Sequence, residues 1–252
     1  MNKNKIWIYG KHACIAALQN KNRECHEMLV TENITKNYNE IIKISELCKQ
    51  RNINLKTVNL NYINSVLPHN SNHQGIALKA STINPITIEE ILNSTTTNST
   101  IILLDQITDV HNVGAIIRSA VCFNVDAIIL PYHNSPSENC GMSKTSSGAI
   151  DMIPIVYVIN LVSTIRLLKS AGYWCYGFDA KKGEFLHKTK FDNKKLIIFG
   201  SEDKGMRKLT KENCDFLLKI ATSNKIDSLN VSNAAAVALY SIFIQNYDHT
   251  FQ

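Results

Sequence analysis

Residues 101–119 read IILLDQITDVHNVGAIIRS, and their order sets the fold class. Ile101–Asp105 is apolar up to its last residue, the pattern of a strand buried on both faces of a parallel sheet. A polar loop follows, then apolar residues at helical spacing over Val113–Phe123. Asn112 is suited to cap that helix, Gly114 permits close backbone approach, and Arg118 lies further along it. Apolar runs recur at Ala127–Leu130, Ile153–Val158, Tyr173–Phe178 and Leu196–Phe199, with helical patterns at Leu161–Ser170 and Val231–Gln245. A parallel sheet covered on both faces is the economical α/β fold, and ligands of such sheets bind outside the carboxyl ends of the strands.

Upstream lies a smaller α/β alternation. Lys5–Tyr9, Glu27–Val30, Leu55–Val58 and Ile76–Leu78 read as strands, with helices at Lys11–Gln19 and Tyr38–Arg51 and a polar loop at Leu67–Gly75. Two prolines and a Ser/Thr/Asn tract mark 81–99 as a linker, so the expected domains are 1–80 and 100–252. The net charge of +6 divides the same way: residues 1–80 carry 11 basic and 5 acidic side chains, and residues 81–252 carry 16 of each. A clustered excess of this kind attracts polyanions, and Lys3, Lys5, Lys11, Arg23 and Lys56 are the candidates for phosphate contact. The 7 cysteines form no C-x-x-C pair, so neither a disulfide framework nor a zinc finger is expected. No apolar run is long enough for a bilayer, and the reading is of a cytoplasmic protein without a membrane partner.

No G-x-G occurs, which excludes the dinucleotide fingerprint, and Gly200–Gly205 lacks the Lys and Ser/Thr of a phosphate-binding loop. His69 and His73 lie in a polar loop with no third ligand nearby, so no metal site is expected. Two further segments border strand ends: FGSEDKGM at 199–206, and IATSNKIDSLNVSN at 220–233, which sets Ser228, Asn230, Ser232 and Asn233 at the start of a long helix. Helix capping accounts for one or two of those four polar residues.

In this order and spacing, Asn112-x-Gly114-x-x-x-Arg118, Gly200-x-Glu202-x-x-Gly205 and Ser228-Leu229-Asn230-Val231-Ser232 resemble the three motifs of the SpoU (TrmH-type) RNA ribose 2′-O-methyltransferases of the SPOUT class. KTSSGAID at 144–151 is similar to the family's stretch before its middle strand. IYGKHA at 8–13 is similar to the start of the ribosomal-protein-like domain carried by members that act on a 23S rRNA guanosine. Ala221, Thr222 and Asn224 depart from the family's third motif, and Asp203 from its second.

The resemblance implies a parallel-sheet domain with a C-terminal trefoil knot, preceded by a small RNA-binding domain. It implies S-adenosylmethionine as methyl donor without a metal, held by backbone at Gly200, Ile220 and Leu229. Arg118 would activate the 2′-hydroxyl, Asn112 would orient Arg118 and the ribose, Glu202 would bind or orient a donor group, and Ser228 and Asn230 would shape the pocket. The partner it implies is 23S rRNA or a pre-ribosomal particle, with tRNA as the rival substrate and a non-catalytic assembly factor as the rival from another class. Homodimerisation through the C-terminal knot region completes the expectation.

Overall fold

A computed structural model of the chain describes residues 4–94, 97–223, 225 and 228–247. Two compact units emerge: Met1–Asn84 with Ser137–Met152, and Pro85–Pro136 with Ile153–Gln252. The division is not two consecutive stretches, because 137–152, expected in the second domain, packs with the first. Of the expected linker, Ile88–Ser94 forms a helix whose Ile88 and Ile91 enter the core of the second unit.

The first unit holds four strands, β1 (Lys5–Tyr9), β2 (Cys25–Thr31), β3 (Asn54–Val58) and β4 (Ile76–Ser81), in the order β1-β4-β2-β3. β4 runs antiparallel to β1 and β2, and β2 and β3 are parallel. Helices Lys11–Gln19 and Tyr38–Gln50 lay Ala13, Ala17, Ile44 and Cys48 against Ile8, Met28, Val30 and Leu78. A third helix, Leu60–Val66, escapes the sequence reading; its signal is Asn59, whose side chain accepts the Tyr62 amide at 2.8 Å. The loop that follows is not wholly solvated: His73 is buried, and its Nδ1 accepts the Gly75 amide at 3.0 Å. Gly148 lets the 137–152 segment press onto helix Lys11–Gln19. Its φ is +87°, and a Cβ there would lie 2.7 Å from the Ala16 side chain and 2.9 Å from the His12 carbonyl.

Arg23, expected to contact RNA, does something else. It is 1% exposed, and its guanidinium lies 2.5 Å from Glu138 and 3.1 Å from Asp151 while donating to the Ser81 carbonyl. A count of charges cannot see burial, and this cation ties the 137–152 segment to β4. Arg51 is likewise committed, donating to the carbonyls of Ala17, Leu18 and Asn20 at the end of the first helix. Lys5 and Lys56 are exposed, Lys56 pairing with Glu27 at 2.5 Å, and Lys3 lies outside the described residues.

The second unit is a seven-stranded sheet of β5 (Ser99–Asp105), β6 (Ala127–Pro131), β7 (Ile155–Val158), β8 (Trp174–Phe178), β9 (Glu184–Phe185), β10 (Lys194–Gly200) and β11 (Phe216–Lys219). Its order is β7-β6-β5-β10-β8-β11-β9, with every pair parallel. All of β5 is buried, as its apolar run requires. The strand order reverses between β5 and β10, so the crevice at their carboxyl ends is a topological switch point. β9 and β11 were not read from the sequence; at two and four residues they are too short for a periodicity to register.

Burial pushes the Asp151 carboxyl up to about 6 against the opposing Arg23 charge. Its contribution to stability is therefore complete below its ordinary value of 3.8 and is lost as the pH rises through about 6. Removing Arg23 strands two buried carboxylates. Arg23→Ala is expected to cost about 3–5 kcal/mol of unfolding free energy at about pH 8, and less at about pH 5, where Asp151 holds its proton. Urea unfolding at both pH values measures this, and a loss under about 1 kcal/mol at each would contradict the assignment.

Candidate active site

The register of the two central strands sets Asp105 directly beside Gly200 at the switch point. Asp105 is fully buried, and its carboxylate accepts two bonds from Arg207, from the amide at 2.9 Å and from Nε at 2.8 Å. The chain leaving β10 thus turns through 201–206 and returns to the end of β5. Ser201 and Gly205 close that turn with amide-to-carbonyl bonds of 3.2 and 2.9 Å. Gly200 cannot carry a side chain here, since a Cβ would fall 2.1 Å from the backbone of Gly205 and Met206.

From β5 the chain enters helix Val110–Cys122, and its cap is Asp109, which accepts the His111 amide at 2.9 Å. Asn112, expected as the cap, instead lies in the first turn, where its side chain is released for another task. Its Nδ2 donates to Glu202 Oε1 at 2.9 Å. Asn230 Nδ2 donates to the same oxygen at 2.6 Å and to Asn112 Oδ1 at 3.0 Å, and the Val231 amide adds a third donor to Glu202 Oε1 at 3.3 Å. The Asn230 Oδ1 in turn receives the Ser232 amide and hydroxyl at 2.9 and 2.6 Å, capping helix Val231–Tyr247. Three segments far apart in sequence therefore meet on one carboxylate oxygen. Hydrogen bonds accepted by an ionised carboxylate are the stronger class, so the convergence fixes the loops relative to each other.

Beside this junction opens a cavity of about 440 Å³. Gly200, Ile220 and Leu229 all line it, as do Glu202 and Ser228. The sequence reading missed its other wall, Phe178–Lys181 at the end of β8, and also Lys204 and Lys219. The Phe178 and Phe199 rings stack there at 4.9 Å. Burial opposes ionisation of Asp179 in this wall, yet the Lys211 ammonium and the Lys181 and Lys182 amides hold its carboxyl below the usual range. Arg118 is not among the lining residues; it is exposed further along its helix. Among the described residues no group of three or more His, Cys, Asp or Glu side chains could hold a metal.

The arrangement is a cavity of mixed apolar, backbone and charged lining, with Glu202 joined to two carboxamides at its border. It can hold a small molecule that has both apolar and charged parts while polar groups orient a second reactant at its rim. Gly200→Ala is expected to open the Ser201–Gly205 turn. Hydrogen exchange at the Ser201 and Gly205 amides should accelerate by about tenfold or more, and unchanged protection would refute the close-approach argument.

Residues 99–240 match the SpoU rRNA Methylase family, and residues 7–85 match the family described as RNA 2′-O ribose methyltransferase substrate binding. An uncharacterized tRNA/rRNA methyltransferase of Synechocystis is 33% identical over 94% of this chain, which spans 62% of that protein. The 23S rRNA (guanosine-2′-O-)-methyltransferase RlmB of Xylella fastidiosa is 32% identical over 95% of this chain and 96% of its own. In fold, the chain is similar to the SpoU methyltransferase AviRb of Streptomyces viridochromogenes, solved in complex with the cofactor AdoMet, with a TM-score of 0.80, 19% identity and coverage of 96% and 91%. With both units matched in this order, the chain belongs to the SpoU rRNA methylase family.

Proposed function

We propose that the chain transfers a methyl group from S-adenosylmethionine to the ribose 2′-hydroxyl of a guanosine in 23S rRNA, in the cytoplasm during ribosome maturation. The observation that carries this reading is the meeting of Asn112, Glu202 and Asn230 at the rim of the cavity lined by Gly200, Ile220 and Leu229. The cavity volume lies in the roughly 300–1,000 Å³ range of small-molecule sites. Its phenylalanine rings and apolar side chains suit an adenosine, and Glu202 suits a cationic centre at the rim. When bound, the donor supplies an electrophilic methyl on a sulfonium.

The chain's own residues do the rest. Backbone groups at Gly200, Ile220 and Leu229 hold the donor, and Ser228 shapes the pocket wall beside them. Asn112 and Asn230, locked by Glu202, present amide groups that orient the ribose for in-line attack. Arg118 is a poor base because a guanidinium does not lose its proton in proteins, so its task is to stabilise the developing alkoxide and position the hydroxyl. The loops at Gly200–Gly205 and Ser228–Asn230 are the segments we assign to a trefoil knot. We assign a homodimer face to the last helix, where Val237, Tyr240 and Ile244 are exposed. Lys5, Lys11 and Lys56 of the first unit are assigned to RNA phosphates, joined by Lys3 from sequence alone.

Incubation with labelled donor and, separately, 23S rRNA, tRNA and assembling ribosomal particles tests the reading. Label mapped to a 2′-O-methylguanosine of 23S rRNA is expected. Label in tRNA alone would overturn the rRNA assignment, and label in none would overturn the activity. Arg118→Ala should slow single-turnover transfer by about 10²-fold or more while donor affinity stays within about threefold, and full retained activity would remove Arg118 from the mechanism.

A further inference from the structure

The cavity and the polar junction occupy adjoining stretches of one sheet edge. The cavity is walled by the segments leaving β8, β10 and β11, and Asn112 follows β5. In the strand order β7-β6-β5-β10-β8-β11-β9, the carboxyl ends of β6 and β7 therefore lie on the far side of the junction from the cavity. Leu103 pairs with Ile129, and continuing that register sets Asp105 level with Pro131 as it is level with Gly200. Tyr132 leaves the sheet one residue later, two strand spacings, or about 10 Å, from the chain leaving Gly200.

Two large side chains stand exposed at this far end. Tyr132 is 58% exposed, and Ile159, which follows β7, is 85% exposed. Pro131 pairs with Val158, and the Tyr132 amide donates to the Val158 carbonyl at 2.8 Å, so Tyr132 and Ile159 leave neighbouring strands together. The Tyr132 ring meets the exposed His133 ring edge to face, with centroids 5.4 Å apart. Single exposed apolar residues are ordinary, but an aromatic pair tied down by a backbone bond beside another apolar side chain is a preformed contact surface. Segments 131–136 (PYHNSP) and 158–160 (VIN) carry no acidic residue, so neither repels a phosphate chain. Asp105, in the same row, is buried and held by Arg207.

Methyl transfer brings two reactants to the junction. With the donor among the ends of β8, β10 and β11, the ends of β6 and β7 are left to support the RNA. Single-stranded loops are where bases splay apart and stack on aromatic side chains. We propose that Tyr132, with His133 and Ile159, forms a stacking shelf for a nucleobase adjoining the target ribose. This rests on reading the cavity as a methyl-transfer site. Every base has a π-face, so the shelf supports the strand without choosing its sequence.

Binding of the full chain to a labelled oligouridylate of about 20 nucleotides reads the shelf without requiring turnover. Tyr132→Ala should weaken binding about tenfold, the scale of one base stacked on an aromatic ring, and Tyr132→Phe should stay within about twofold because the ring remains. The slope of log affinity against log salt should be unchanged in both, since no cation is lost. S-adenosylmethionine affinity should stay within about threefold. Ile159→Glu, at a position too exposed to disturb the fold, should weaken RNA binding about fivefold by setting a carboxylate beside the strand. RNA affinities within about twofold of wild type for Tyr132→Ala and Ile159→Glu overturn the shelf. An equal loss in Tyr132→Phe also overturns it, by giving the role to the hydroxyl. A changed oligomeric state in sedimentation with unchanged RNA affinity overturns it as well, by giving the surface to a second copy of the chain. Should Tyr132→Ala lose donor affinity too, Ile159→Glu decides alone. If these variants weaken RNA binding but the wild type methylates no RNA, the transfer reading fails and the shelf stands. If the wild type methylates RNA and the variants bind it normally, the shelf fails and the transfer reading stands.

Discussion

The parallel pairing of β5 with β10 places Asp105 beside Gly200, and the second unit is organised around that adjacency. Both strands are buried along their middles, so their register is fixed by packing and not by the loops that leave them. The loops inherit this precision. Arg207 returns to the buried Asp105 carboxylate, the Gly200–Gly205 turn closes with no room for a Cβ, and Glu202 is left at the rim where helix Val110–Cys122 begins. A rigid sheet carrying functional loops at its carboxyl edge is what the strand-order reversal provides.

Much of this was legible in the sequence, and the failures have identifiable physical causes. Continuous apolar runs disclosed the central strands, and the Asn/Arg, Glu and Ser/Asn segments disclosed which loops belong together. The helix cap was misplaced because Asp109 and Asn112 are both good caps within one turn, and only the backbone path decides which carbonyl points to a free amide. That displacement matters for the site, since an Asn112 spent on capping could not reach Glu202. The cavity wall at Phe178–Lys181 was invisible for another reason: β8 and β11 meet only in the folded sheet, and no local pattern marks their ends. Residues 137–152 joined the first unit through a buried arginine with two carboxylates and a left-handed glycine, contacts of long sequence separation that periodicity does not report.

Charge shows the same limit. The excess in residues 1–80 points to a polyanion, yet Arg23 and Arg51 spend their guanidinium groups on the protein's own carboxylates and carbonyls. In the second unit the balance of 16 against 16 is met locally, with Lys169 on Asp215 and Lys211 on Asp179. Net charge measures composition. What steers a phosphate chain is where uncompensated groups stand on the folded surface.

The central claim is that three distant segments work as one unit through a shared carboxylate oxygen, and a double-mutant cycle measures this most directly. Asn112→Ala, Asn230→Ala and the double variant are compared by the single-turnover rate constant for methyl transfer to RNA. The two side chains share Glu202 Oε1 and bond each other at 3.0 Å, so a coupling energy of about 1 kcal/mol or more is expected, with the double variant little slower than the worse single one. Effects that add to within about 0.3–0.5 kcal/mol would show that the residues act independently and would contradict the account.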